Sequence, residues 1–178
     1  MRIASLLLCC ILWMGSLQKE AFVIQHKEIT VKGKTSIGDF ECSYGKEQTG
    51  DTLYLGAIPT AGTSLDFNIP VKEFGCGNFI LNGDFRRTLK ADEYPLCEVR
   101  VLRLFRGQSN LYGDLAINLA GKGLRLDRVF FDRNQSVLEG KVQLSFEELD
   151  LEAPSRLGGL VSVEEAIDLE IKLHMSPG

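Results

Sequence analysis

The sequence predicts an all-β protein, an antiparallel barrel of eight strands with one short helical crossover near residues 79–89. Three observations carry that prediction. About eight runs alternate apolar and polar side chains, the period-two signature of a sheet with one dry face. Gly, Asn and Asp break the runs where turns are needed. A single stretch, Phe79 to Leu89, replaces period two with a period of four.

The runs follow in chain order. In EITVKG, Ile29 and Val31 share a face opposite Glu28, Thr30 and Lys32. In DFECSYG, Phe40, Cys42 and Tyr44 alternate with Glu41 and Ser43. LDFNIPV sets Leu65, Phe67, Ile69 and Val71 against Asp66, Asn68 and Pro70. CEVRV aligns Cys97, Val99 and Val101, while apolar Leu102 and Leu104 leave the inward face beyond that point open. DLAINLA aligns Leu115, Ile117 and Leu119; GLRLDRVFF and VLEGKVQLSF follow; AIDLEIKLHM closes with Ile167, Leu169, Ile171 and Leu173. Gly33 and Gly140, inside strand patterns, read as bends or bulges where the sheet curls.

The interruption places Leu81, Phe85 and Leu89 on one helical face, with Arg86, Arg87 and Lys90 turned elsewhere. Asn78 or Asn82 serves as its N-cap, and Pro95 launches the next strand. So short a helix is not stable alone in water, so it must dock its apolar stripe on a dry surface. In a barrel that surface is an open end.

Residues 1–18, MRIASLLLCCILWMGSLQ, read as a secretory signal peptide: a charged start, an apolar run, then small Gly15 and Ser16. Residues 19–178 then form one barrel domain, and the expected location is periplasmic or secreted. The 178-residue chain carries a net charge of −4, and no basic, aromatic-interleaved patch suits nucleic acid. Cys42, Cys76 and Cys97 remain outside the leader. Three single pairings are open to them, as is a role as buried apolar fillers.

Catalytic and metal motifs are missing from the pattern. Gly33-Lys34-Thr35 mimics a P-loop tail, but position 28 is glutamate and strand patterning runs on both sides. His26 and His174 stand at opposite ends of the domain beside polar positions, and no CxxC, HxH or HExxH spacing offers a metal site. No GxSxG elbow presents a nucleophile. Glu147-Glu148-Leu149-Asp150 and Glu164-Glu165 read as solvated turns. Asn134-Gln135-Ser136 fits a glycosylation sequon in a loop. The expectation is a non-enzyme without cofactor or metal.

Several segments in fixed order resemble the YceI-like family, exported bacterial proteins with a lipocalin-like barrel. KGKTSIGDFECSYG resembles the family's first long bent strand, and LDFNIPVKEF its next apolar strand. GNFILNGDFRRTLKADEYP resembles the helical crossover ending in Tyr-Pro, and GDLAINLAGKGLRL the Gly-Asp-Leu strand and turn. LSFEELDLEAPSRLGGLVSVEEAIDLEIKL resembles the closing loop and strand, so the likeness spans residues 22–173. Ala116 and Arg87-Thr88-Leu89 depart from the usual family form. The resemblance implies a Cys42–Cys76 disulfide and an apolar tunnel for a polyisoprenoid or other long-chain lipid.

An eight-stranded barrel is just wide enough to be filled by its own side chains or to hold one slender ligand. On the second alternative Phe67, Ile69, Val71, Val99, Val101, Leu115 and Ile117 line the channel. Leu81, Phe85 and Leu89 plug one end, and Arg86, Arg87 or Arg103 meets a polar head group. On the first, the protein is a structural or interaction module of the cell envelope with a packed barrel. A homodimer is compatible with either.

Overall fold

The computed structural model describes residues 21–55, 65–107, 110–156 and 161–178; the leader predicted at 1–18 lies outside them. Strands β1 (Ala21–Thr35) and β2 (Gly38–Tyr54) form a long hairpin. β3 (Leu65–Pro70) leads through a 3₁₀ turn, Val71–Glu73, to helix α1 (Phe79–Thr88). There follow β4 (Leu96–Arg106), β5 (Leu111–Leu119), β6 (Lys122–Asn134), β7 (Val137–Ser145), the two-residue β8 (Ser155–Arg156) and β9 (Val161–Pro177). The pairing order is β2-β1-β9-β7-β6-β5-β4-β3, antiparallel throughout, with β8 set aside on β9. This is the expected all-β, lipocalin-like barrel of eight strands.

The cylinder is not closed by a ladder. β2 and β3, at the two ends of the order, do not pair. Among the described residues the seam is held instead by one bridge, Ser43 with Gly75, whose amides donate to each other's carbonyls at 3.0 and 2.9 Å. Beside it lies the disulfide Cys42–Cys76, the pairing implied by the family resemblance. A second opening comes from β6 and β7, which pair only between Phe131–Asn134 and Val137–Gly140. Beyond that point β6 runs on with β5, and β7 with β9.

Bulges decide which residues face inward. A register shift between Ile24 and His26 moves the buried positions of β1 from Phe22 and Ile24 to Lys27 and Ile29. Another, between Val101 and Arg103, settles the face left open by sequence: Val101 and Leu104 are buried. The register of β5 on β6 jumps from Gly113↔Val129 to Leu115↔Leu126, which leaves Asp127 and Arg128 bulged. Asp114 takes up the Arg128 N–H so freed, at 2.9 Å, and accepts from Arg103 Nη2 at 2.6 Å. These contacts, the Arg128 amide first, hold the buried Asp114 carboxyl below the usual carboxylate range.

The sign of the linkage follows. A depressed folded pKa contributes stability above the ordinary carboxylate range, and this is lost as pH falls through the folded value. Asp114→Ala is expected to cost about 1–3 kcal/mol at neutral pH, because it strands the bulge amide and Arg103. Urea unfolding followed from pH 7 to pH 3 should show a shallower acid decline in the variant than in the parent protein.

Gly33 and Gly140 serve as space rather than as hinges alone. A Cβ at Gly140 would run into the ring of Phe131, and one at Gly33 into the ring of Phe40. Gly113 flanks Phe131 from the other side, where a Cβ would lie 2.8 Å from Cε2. The large rings thus lie flat across neighbouring strands inside the barrel. Gly140→Ala is expected to lose about 1–3 kcal/mol by overpacking. Gly83→Ala, on α1 with nothing within reach of a Cβ, should gain about 0.5–1 kcal/mol from helix propensity. Parallel urea titrations check both.

Candidate ligand cavity

Helix α1 forms where the periodicity placed it. Asn78 is its N-cap, accepting from Leu81 N at 2.9 Å, while Asn82 instead accepts from Cys76 N at 2.7 Å and ties the helix to the disulfide segment. At the far end Val71 N donates to Pro95 O at 2.9 Å, closing the crossover. Leu81 and Phe85 are half-buried against the core, and Leu89 is buried. The helix therefore covers the end of the barrel without filling it.

What remains beneath it is a cavity of about 630 Å³. The hairpin contributes Val31, Thr35, Ile37, Gly38, Asp39, Phe40 and Cys42 to its wall. α1 contributes Leu81, Asp84, Phe85, Thr88 and its first residues; β9 contributes Val161, Val163 and Ile167. Leu119, Phe146, Leu151, Leu89 and Pro154 complete it. This volume is in the range of roughly 300–1,000 Å³ usual for small-molecule sites. The rim is apolar as well: Ile37, Phe79 and Ile80 are exposed, Phe79 by 83%.

Phe85 packs on Phe74 with ring centroids 5.1 Å apart, and Phe74 on Tyr44 at 5.6 Å. This aromatic row leads from the cavity into a tightly filled interior. Behind it the Tyr44 hydroxyl is buried with no hydrogen-bond partner among the described residues. Burial first, and Glu73 second, push its pKa up. Lys27 also points inward, its ammonium 4.8 Å from the Phe67 ring centroid. Burial lowers the pKa of Lys27.

The ten predicted site residues fall into two groups. Leu81, Phe85 and Leu89 line the cavity. Phe67, Ile69, Val71, Val99, Val101, Leu115 and Ile117 do not; they are all buried, in filled core at and below the level of α1. Val71 is no longer strand but the start of the 3₁₀ turn. The three arginines expected at the mouth are engaged elsewhere. Arg86 donates to Lys72 O at 2.6 Å, Arg87 pairs with Asp84 at 3.1 Å, and Arg103 pairs with Asp114. None lines the cavity.

Other sequence candidates resolve simply. Cys97 is free, and burial, with Glu98 adding to it, pushes its pKa up to about 12, so it stays a thiol. His26 and His174, read as distant surface residues, meet across the β1–β9 pair with ring centroids 5.3 Å apart. Among the described residues no three metal-ligating side chains converge. None of their helices is long and apolar enough to cross a membrane.

No protein-family model matches the chain, and no curated protein matches it. Solved structures do. A polyisoprenoid-binding domain from Saccharophagus degradans implicated in plant cell wall breakdown superposes with a TM-score of 0.55 at 14% identity. The match covers 89% of this chain and 98% of that one. Burkholderia cenocepacia BcnA matches with a TM-score of 0.49 at 9% identity, over 89% of this chain and 96% of its own. Shared topology with the Saccharophagus domain over nearly its whole length, at such low identity, speaks for the fold. The chain has the lipocalin-like barrel fold of the YceI-like proteins that its sequence resembles.

Proposed function

We propose that the chain is an exported binding protein that holds one long apolar chain, isoprenoid or fatty-acyl, in the cavity under α1. The observation that carries this reading is the apolar hollow at the barrel end, walled by the hairpin, the helix and the start of β9. Each methylene moved into it from water contributes about 0.8 kcal/mol before ordering costs. A dozen carbons are then held with scarcely a hydrogen bond. Leu81, Phe85 and Leu89 touch the chain from the lid side, and the seven buried residues below form the rigid backing that keeps the hollow in shape. The name of the Saccharophagus domain, a polyisoprenoid binder, supports the choice of ligand.

Export is supported by the leader-like residues 1–18 and by a disulfide, which persists in oxidising compartments. No chemistry on the ligand is part of the proposal. The test is titration with Nile red and with a fluorescent prenyl probe. Saturable binding at one site per chain is expected, and a linear, non-saturating signal contradicts the proposal.

A second reading draws on the exposed Ile37, Phe79 and Ile80. Clustered exposed apolar side chains mark interaction surfaces. Here the domain is an envelope interaction module and the hollow is incidental. In the carrier reading the same rim receives the chain, so Ile37→Ser with Phe79→Ser slows probe uptake. In the module reading those changes leave probe signals untouched.

A further inference from the structure

Resting on the carrier reading, we infer that Gly33, which is not itself part of the cavity wall, sets the length of chain the cavity takes, by giving the Phe40 ring a place flat against the barrel. Gly33 is buried on β1 between Val31 and Thr35, which face the hollow from the same side of the strand. It pairs with Phe40 on β2 and with Ile167 on β9, and both of these line the wall. A Cβ at Gly33 would run into the far end of the Phe40 ring, lying 2.6 Å from Cζ. The ring therefore occupies the space that a side chain at Gly33 would need.

The same overlap at Gly140 has a different outcome. There the ring is that of Phe131, which Gly113 flanks on its other side, and it sits in filled core with no room to turn. Phe40 is only half-buried and borders the hollow. Neither glycine has a left-handed backbone, so alanine is conformationally acceptable at both. At Gly33 its methyl tips the Phe40 ring off the strand. Ile167 Cγ2, 3.5 Å from the same Cβ, closes the β9 side, so the ring turns into the hollow. At about 30 Å³ per chain atom, a water molecule's share of the liquid, the cavity holds roughly twenty carbons. A ring swung inward takes the room of about four of them.

The experiment offers the protein an equimolar pool of saturated 1-alkanols of roughly eight to twenty-four carbons, delivered from methyl-β-cyclodextrin, and identifies the bound species by native mass spectrometry. The parent is expected to favour chains of up to about twenty carbons. Gly33→Ala should shorten the preferred chain by about four carbons, and Phe40→Leu added to it should restore the parent preference. Gly140→Ala should lower the urea midpoint and leave the preference unmoved, which separates cavity size from general destabilisation. A preference that Gly33→Ala leaves unchanged, that Phe40→Leu fails to restore, or that Gly140→Ala shifts equally overturns this inference and leaves the carrier reading standing. If Gly33→Ala does not fold, Phe40→Leu alone decides: the preferred chain lengthens by about two carbons or more, and an unmoved preference overturns the inference. A parent protein that takes up no alkanol of any length overturns both.

Discussion

Replacing Cys42 and Cys76 together with serine is expected to lower the free energy of unfolding by about 3–4 kcal/mol, the loop-entropy value for a cross-link of this span. The bridge joins residues 34 apart in sequence and closes the seam that no strand ladder closes. It is also the strongest tie between β2 and the crossover bearing α1, whose other fastenings are the Ser43–Gly75 bridge and a few side-chain contacts. Two readouts should therefore fall together. Urea unfolding reports the stability loss, and probe binding weakens because Cys42 is itself part of the cavity wall. Cys97 will not reshuffle with the bridge at neutral pH, since burial keeps it protonated. A loss under about 1 kcal/mol would mean that the seam is held by packing alone, against the entropic estimate.

Filling the hollow should abolish binding while sparing the fold. Leu81→Trp and Val163→Trp place indoles on facing walls, one from the lid helix and one from β9, at positions that are only half-buried. Overpacking is slight where the ring enters open space, so the melting temperature should move by only a few degrees. Affinity for a chain of a dozen carbons should drop at least about a hundredfold, since excluding even four methylenes removes about 3 kcal/mol. Leu96→Trp, exposed and off the cavity wall, is the control and should bind as the parent does. A double variant that keeps full affinity would place the ligand elsewhere.

The fold was largely legible from residue patterns because period two reports a face directly. The runs around Phe40, Phe67 and Ile171 needed nothing more, and the four-residue spacing of Leu81, Phe85 and Leu89 located α1 to within a residue of its observed end. Depth along the barrel was not legible. Alternation says that Phe67 and Phe40 both point inward, but not that Phe67 sits in filled core while Phe40 borders the hollow. That difference arises from where Phe131, Phe74 and Phe22 place their rings, from glycines on adjacent strands, and from the side on which α1 closes the end. Bulges hid the rest. The shift after Ile24 turns Lys27 inward, against its charge, and the jump at Gly113 creates the Asp114–Arg128 contact between residues that no spacing rule relates.

The most direct test of the central claim, a greasy guest in the barrel end, is native mass spectrometry of the protein purified gently from its own host, followed by solvent extraction. The account predicts a species heavier by a single chain-bearing lipid, recovered in the extract and missing when Leu81 and Val163 are both tryptophan. A single species at the bare polypeptide mass, with no uptake of offered dodecanol or prenyl probe, would contradict it.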